Sequence, residues 1–371
     1  MIGTGKFWIG LAISALLLVL FLVTVDLGRM IDALADANYL FLVPGIALYL
    51  VSVFFRTMRW QVLLRHMKPV SLRRLYPVVV VGYMANNLLP MRLGELVRSY
   101  YIGEREGISK TSALVTIFIE RVLDALTLLF FVFAIALFFP LAGLAEAFGD
   151  RFNMSWPVLV VAFTVPFVLA FGMLLLFAFY PARTKKGAMV MVRPLPERFE
   201  VPLRHMIDMF LNGLIPLRSP KTLGILFLLS VPIWLFESAL FFFVGFSFGL
   251  EDVYDNLGEL AVAVVLVTAV ANIVSSIPAA PGGIGFFELG ARETLVWLPM
   301  ASVGRAVAAG FATVVHAALL LPMILLGQAF LWAGHISLRR LSEAGRRERS
   351  TGMVEQGLVS PALSVESEEP Q

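Results

Sequence analysis

Residues 260–288 read LAVAVVLVTAVANIVSSIPAAPGGIGFFE. An apolar run from Leu260 to Ile277 stops at Pro278-Ala279-Ala280-Pro281-Gly282-Gly283-Ile284-Gly285, and a further apolar piece runs from Phe286 to Met300. Proline and glycine free backbone N–H and C=O groups that lipid cannot satisfy. At membrane depth such a break is tolerated only where it is buried in protein or lines a wet cavity. A tight turn at the membrane surface is the plainer alternative. Flanking charge places the ends. An acidic loop with Glu251, Asp252, Asp255 and Glu259 precedes the run, while the last apolar run, Val303 to Ala333, leads to Arg339, Arg340, Arg346 and Arg347. Basic loops stay cytoplasmic. Residues 260–300 therefore begin and finish outside, as two half-helices meeting at the break or as two short spans.

A second interrupted run lies earlier in the chain. Leu75 to Met91 is apolar but broken by Asn86-Asn87 and Pro90, and Arg92, Arg98, Arg105 and Lys110 follow it. Since the stretch before it is also basic, both of its ends fall on the cytoplasmic side and the segment reads as re-entrant. Glu95, Glu104 and Glu106 dilute that signal.

Full spans fill the remainder. They are Phe7–Val25, Tyr39–Phe55, Ala113–Phe139, Trp156–Tyr180, Leu223–Phe248 and Val303–Ala333. About 20 predominantly apolar residues cross a bilayer. Phe7–Val25 is long enough, and no small-residue cleavage site follows it, so we expect an uncleaved first helix rather than a signal peptide. Asp26, Asp32 and Asp36 after it suit the outer side; Arg56, Arg59, Arg65, Lys68, Arg73 and Arg74 after Phe55 suit the inner side. Both termini are thus expected in the cytoplasm of a cell with an inner membrane. Between Tyr180 and Leu223, Phe199, Leu203, Met206, Ile207, Phe210, Leu211 and Leu214 recur at helical spacing, as in an amphipathic helix lying on the membrane surface.

Composition agrees. Hydrophobic residues make up 59% of 371 and charged residues 15%, against about 25% charged in soluble domains. Mean hydropathy is +0.86. The pI of about 9.2 reflects basic loops and not nucleic-acid affinity. The absence of cysteine excludes disulfides, thiolate catalysis and cysteine-ligated metals, and the four histidines are not paired on one helix turn. No metal and no cofactor is expected.

The order span, span, broken segment, span occurs twice, first from inside and then from outside. That is the pattern of an inverted-topology repeat with a midplane site at its matching breaks. The expected fold is an all-α polytopic membrane bundle over residues 1–340, with halves at about 1–140 and 150–335. Residues 341–371 form a polar tail expected to be disordered.

Ionisable residues at membrane depth are rare and point to function. Glu120, Arg121 and Asp124 lie about 10–16 Å beyond Ala113 at a helical rise, Glu237 near the middle of its span, and His316 near the middle of the last. We expect these five to converge. Ion pairs that only lock helices together would explain the trio equally well. For His316, hydrogen-bonded packing is the plainer reading; Glu237 has no local partner in sequence. Arg92, Arg98 and Arg292 flank the breaks, where guanidinium forks suit phosphate or simply anchor at the interface.

Three stretches resemble the lysylphosphatidylglycerol synthase transmembrane-region family of flippase-like proteins. They are Asn86-Asn87-Leu88-Leu89-Pro90-Met91-Arg92-Leu93-Gly94-Glu95, then Glu120-Arg121-Val122-Leu123-Asp124, then Pro278 through Pro281, Gly282, Gly283 and Gly285 to Glu288. With the hydropathy pattern the resemblance spans about residues 7–335. It implies a lipid-translocating domain with two re-entrant elements around a cavity, lined by Asn87, Pro90, Arg92, Glu95, Glu120, Arg121, Asp124, Glu237, Pro281, Gly282, Gly283, Gly285, Glu288 and His316. The soluble aminoacyl-transfer domain of the full-length synthases is not expected here, nor is a glycosyltransferase domain. The expected partner is a membrane lipid with a charged headgroup; a homo-oligomer is compatible with the sequence. Two other readings stay open. One is a membrane-embedded enzyme acting on a polyprenyl-phosphate sugar through the acidic loop at 251–259. The other is a structural partner of another membrane complex.

Overall fold

A computed structural model describes residues 5–89, 92–139, 156–193, 196–276 and 281–333. Among them the chain is helical throughout. The helices are α1 (Gly5–Val23), α2 (Leu27–Asp36), α3 (Leu42–Leu64), α4 (Leu72–Leu88), α5 (Leu93–Glu106), α6 (Lys110–Ala136) and α7 (Trp156–Phe179). They continue with α8 (Pro181–Val192), α9 (Glu197–Gly213), α10 (Pro220–Ser247), α11 (Leu257–Val274), α12 (Phe286–Trp297) and α13 (Arg305–Ala333). The tail, Pro90, the stretch with Glu146 and Asp150, and Pro278 lie outside the described residues.

Tyr39–Leu64, α10, α11 and α13 are long and apolar enough to cross a membrane. Side chains such as Phe133, Leu169, Leu228, Leu325 and Trp332 face outward, uncovered. In water so much exposed apolar surface marks an unmet interface; here it is the surface lipid covers. This is a multi-pass membrane protein. The 27 residues of α6 are long enough to span too, but Glu120, Arg121 and Asp124 lower its hydropathy.

The most extensive packing joins α3 to α10 along the centre of the bundle. Around that pair, α4 packs on α13 and α11 on α6, α5 on α6 and α12 on α13, α3 on α4 and α10 on α11. Each of these three relations in the first set of helices has a counterpart in the second.

Two helical hairpins sit between these layers. In the first, α4 and α5 run antiparallel and touch at glycines. A Cβ added to Gly94 would lie 2.2 Å from the Gly82 carbonyl oxygen, so only glycine allows the arms to approach this closely. The chain reverses near Arg92, whose φ of 52° makes it the one non-glycine residue in the left-handed region among those described. In the second hairpin α11 and α12 pack antiparallel, with Gly290 against Ala271, and the turn between them carries positive φ at Gly282, Gly283 and Gly285.

Two sequence expectations, on α3 and α9, need correction, and one helix, α2, is added. Tyr39–Phe55 does not end at Phe55; the helix continues to Leu64 and buries Arg56 and Arg59, which are therefore not loop charges. Hydropathy falls at Arg56, but carboxylates from distant helices neutralise both guanidiniums, so the helix stays in the core. The connector after Val25 is the helix α2, capped by the Asp26 carboxylate accepting from the Arg29 N–H. The amphipathic helix α9 does not lie only on lipid: Leu211 is buried, and Gly213 meets Val115 of α6.

Candidate functional site

The acids at membrane depth need cations. Within the apolar runs, Glu120, Asp124 and Glu237 face only Arg121 in sequence, and the deficit is filled from α3 and α5. Arg56 Nη2 donates to Glu237 Oε2 at 2.6 Å, and Arg56 Nη1 lies 3.5 Å from Asp124 Oδ2. Arg59 Nη2 sits 2.7 Å from Asp124 Oδ1 and its Nη1 donates to Ser230 Oγ at 2.8 Å. Arg98 of α5 pairs with Glu120 at 2.8 Å and stacks 3.7 Å above the Trp60 ring. Arg121 pairs with Asp124 at 3.2 Å. Glu95 stands 3.9 Å from both Arg92 and Arg121. These contacts join α3, α5, α6 and α10 in one network.

The tally matters. Among the described residues the network holds five guanidiniums, Arg56, Arg59, Arg92, Arg98 and Arg121, against four carboxylates, Glu95, Glu120, Asp124 and Glu237. One positive charge is left over: Arg92 meets a carboxylate only at 3.9 Å, on Glu95, and shares that carboxylate with Arg121. A charge in low dielectric is expensive unless paired.

Those two arginines face a cavity of about 150 Å³ where the hairpin tips meet. Arg56, Arg92, Arg121, Glu237 and His316 form its charged or titratable wall, with Tyr49, Tyr83, Asn87 and Asn272 between them. The tips touch: Arg92 Nη2 donates to the Ser275 carbonyl at 3.3 Å, and the Cβ position of Gly282 lies 3.5 Å from the Asn87 carbonyl oxygen. Three buried polar atoms on residues of the wall, Arg121 Nε, Asn86 Oδ1 and Trp234 Nε1, have no hydrogen-bond partner among the described residues. Buried polar groups are normally satisfied, so this wall suits a polar occupant.

The sequence-derived residues divide accordingly. Asn87, Arg92, Arg121, Glu237, Gly282, Gly283 and His316 line the cavity. Glu95 pairs with Arg92 and Arg121 without lining it, and Glu120 and Asp124 lie behind it as partners of arginines. Pro281 sits in the turn, and the Gly285 N–H donates to Glu288 Oε2 at 2.7 Å. Glu288 Oε1 lies 2.6 Å from His316 Nδ1, and His316 Nε2 is 3.0 Å from the Gly282 carbonyl oxygen. His316 thus reaches the cavity but makes no ion pair with the arginine network. Pro90 lies outside the described residues. Arg292 is committed elsewhere, bonded to Glu293 and to Phe21 and Thr24 at the end of α1.

Sequence reading missed Arg56, Arg59, Tyr83 and Trp234 as parts of the site. The signal for the first two was the charge deficit itself: three deep acids and one deep base require cations from a neighbouring helix.

The family model for the lysylphosphatidylglycerol synthase transmembrane region matches residues 7–327. The chain belongs to this family. A membrane protein of the UPF0104 group from Methanothermobacter thermautotrophicus is 25% identical over 303 residues, covering 78% of this chain and 83% of the relative. Another of that group, from Methanocaldococcus jannaschii, is 24% identical over 205 residues, covering 55% of this chain and 75% of the relative. The glycosyltransferase AglD of Haloferax volcanii is 28% identical over 123 residues, covering 32% of this chain and 19% of AglD. The range matched to the lysylphosphatidylglycerol synthase transmembrane-region family includes both helical hairpins.

Proposed function

We propose that this protein moves a lipid with a charged headgroup across the cytoplasmic membrane. The headgroup passes between the hairpin tips while the acyl chains stay in the bilayer. The observation that carries this reading is the cavity at the tips, walled by Arg56, Arg92, Arg121 and Glu237 inside an otherwise apolar bundle. The surplus guanidinium favours an anionic group such as a phosphate, which Arg92 and Arg121 can grip with forked N–H donors. In this reading residues 1–340 are one domain of two inverted halves, about 1–140 and 150–335, with the hairpins re-entrant and both termini cytoplasmic. The paired packing relations support it.

The test is purified protein in liposomes with fluorescent headgroup-labelled lipids, anionic and zwitterionic. A quencher added outside reports how much label changes leaflet. Wild-type protein is expected to expose more than the outer half of the label. Arg121→Ala should slow this by at least about tenfold, the order lost when one charge-assisted contact goes, because Asp124 keeps Arg56 and Arg59 and the fold survives. A wild type inert towards every lipid offered overturns the reading.

One observation favours a second reading, sugar transfer from a polyprenyl phosphate: the match to the glycosyltransferase AglD. The acidic loop it would use is partly engaged in capping, since Asn256 and Glu259 bond each other at the start of α11. Metal-dependent sugar release in membranes, lost on Asp252→Ala, would establish it.

A further inference from the structure

The Glu288–His316 pair lies outside the arginine network, and its hydrogen-bond geometry is informative. Both ring nitrogens of His316 face oxygen: Nδ1 faces Glu288 Oε1 at 2.6 Å, and Nε2 faces the Gly282 carbonyl at 3.0 Å. A carbonyl oxygen only accepts, so Nε2 carries hydrogen. The Nδ1 contact then needs a proton of its own, held by the ring as an imidazolium or by the carboxyl as an acid donating to Nδ1. Either way the observed geometry holds one proton more than a carboxylate beside a neutral imidazole.

Removing that proton breaks one contact. Neutral imidazole has a single N–H. The carboxylate is the stronger acceptor, so the hydrogen moves to Nδ1 and the Nε2 lone pair meets the Gly282 oxygen. That contact opens. Gly282 sits at the tip of the second hairpin, 3.2 Å from Leu320 and 3.5 Å from the Asn87 carbonyl at its Cβ position, so it is the point where this tip rests on α13 and on the first hairpin.

We propose that Glu288 and His316 form a proton-binding site that holds the second hairpin tip shut, so that proton release opens the cavity between the hairpins. The ring is held in place by Phe287, whose ring stacks on it with centroids 4.3 Å apart. Groups facing it across the cavity are Tyr49 and Arg56 of α3, Tyr83 of α4, Arg92 at the first tip, Arg121 of α6 and Glu237 of α10. From α12 comes Glu288, and α2 meets α13 through Met30 and Leu34 near Ala309 and Gly310. No other carboxylate or amine bonds the imidazole among the described residues.

The inference deepens the transport reading, but its test does not depend on lipid movement. The chain has no cysteine, so Leu320→Cys places a single thiol against Gly282. Labelling by a small maleimide is measured in liposomes from about pH 5 to 8, the range where histidine titrates. Each rate is divided by that of the same thiol in the Glu288→Gln background, which cancels the thiol's own titration. A glutamine amide donates to Nδ1 and leaves Nε2–H on Gly282 at every pH, so that background stays shut. The ratio is expected to rise roughly fivefold or more with pH, the lower end of usual coupling between sites. A ratio flat across the range overturns the proposal. Nitrogen-15 spectra of histidine-labelled protein, assigned with His316→Gln, provide the second measurement. They should show the hydrogen leaving Nε2 for Nδ1 as pH rises; Nε2–H retained throughout would overturn the proposal equally.

Discussion

The two hairpins are fastened by different physics. The first is held by guanidinium–carboxylate pairs: Arg98 on Glu120, Glu95 facing Arg92 and Arg121, with the Arg98 guanidinium over the Trp60 ring. The second is held by close packing, with Gly290 on Ala271 and Phe287 on His316, and by one pair whose bonding depends on a proton. Arg292, the strong base of α12, ties its helix to α1 and not to the tip. Guanidiniums keep their charge at any physiological pH, so the first hairpin is a fixed wall. The second is the one that chemistry can loosen.

The largest expected effect breaks the first anchor. Glu120 is almost wholly buried between Arg59 and Arg98. Glu120→Ala leaves two guanidiniums short of a partner, and loss of one member of a buried pair costs about 3–5 kcal/mol. The variant should fail to accumulate in membranes or should unfold far earlier than wild type in detergent. Stability within about 1 kcal/mol of wild type would show that water reaches these arginines and that the wall is not fixed. Removing the second anchor with His316→Gln should lower the midpoint less, because it strands no permanent charge.

Next come the arms themselves. In Gly94→Ala the new methyl carbon would sit 2.2 Å from the Gly82 oxygen, and backbone must move. Such overpacking costs about 1–3 kcal/mol. In Gly290→Ala the nearest atom is the Ala271 Cα at 3.3 Å, which a small shift relieves. Thermal unfolding should therefore separate the two, with the first hairpin the less tolerant. Equal midpoints would mean that the arms of the first hairpin separate as easily as those of the second.

How far the sequence carried this picture depends on distance along the chain. Hydropathy located the spanning helices at Tyr39–Leu64, α10 and α13 because lipid imposes a local rule on every residue. The ends of α4 and α11 were legible because proline and glycine announce freed backbone. Arg56 and Arg59 were misread because their partners lie 68 and 181 residues away for Arg56, and no local rule distinguishes a basic loop from a helix whose charges are neutralised elsewhere. The charge tally across the apolar runs does distinguish them, and it needs only the sequence. The Glu288–His316 pair was half visible: both residues were singled out, yet their meeting depends on the fold of the second tip.

The smallest effect supplies the control for the comparison, since a second histidine lies near the first hairpin. His66 follows α3 in the turn that leads to α4, half-buried, with Nδ1 2.8 Å from the Leu63 carbonyl oxygen. Burial, reinforced by nearby Arg218, holds its pKa below the ordinary histidine value. A folded-state pKa below the unfolded one means that the unfolded chain takes up the proton first. Stability from this group is therefore present above about pH 6.5 and declines as pH falls below it. The Glu288–His316 contact has the opposite sense, because its docked form is the one that holds the proton. In His66→Gln the loss of thermal midpoint between neutral pH and about pH 5 should shrink by a few degrees at most, and the pH-dependent labelling at the second tip should be unchanged. If instead that labelling became insensitive to pH in His66→Gln, the titrating group would lie in the turn between α3 and α4, and the assignment of the proton to the second tip would fall.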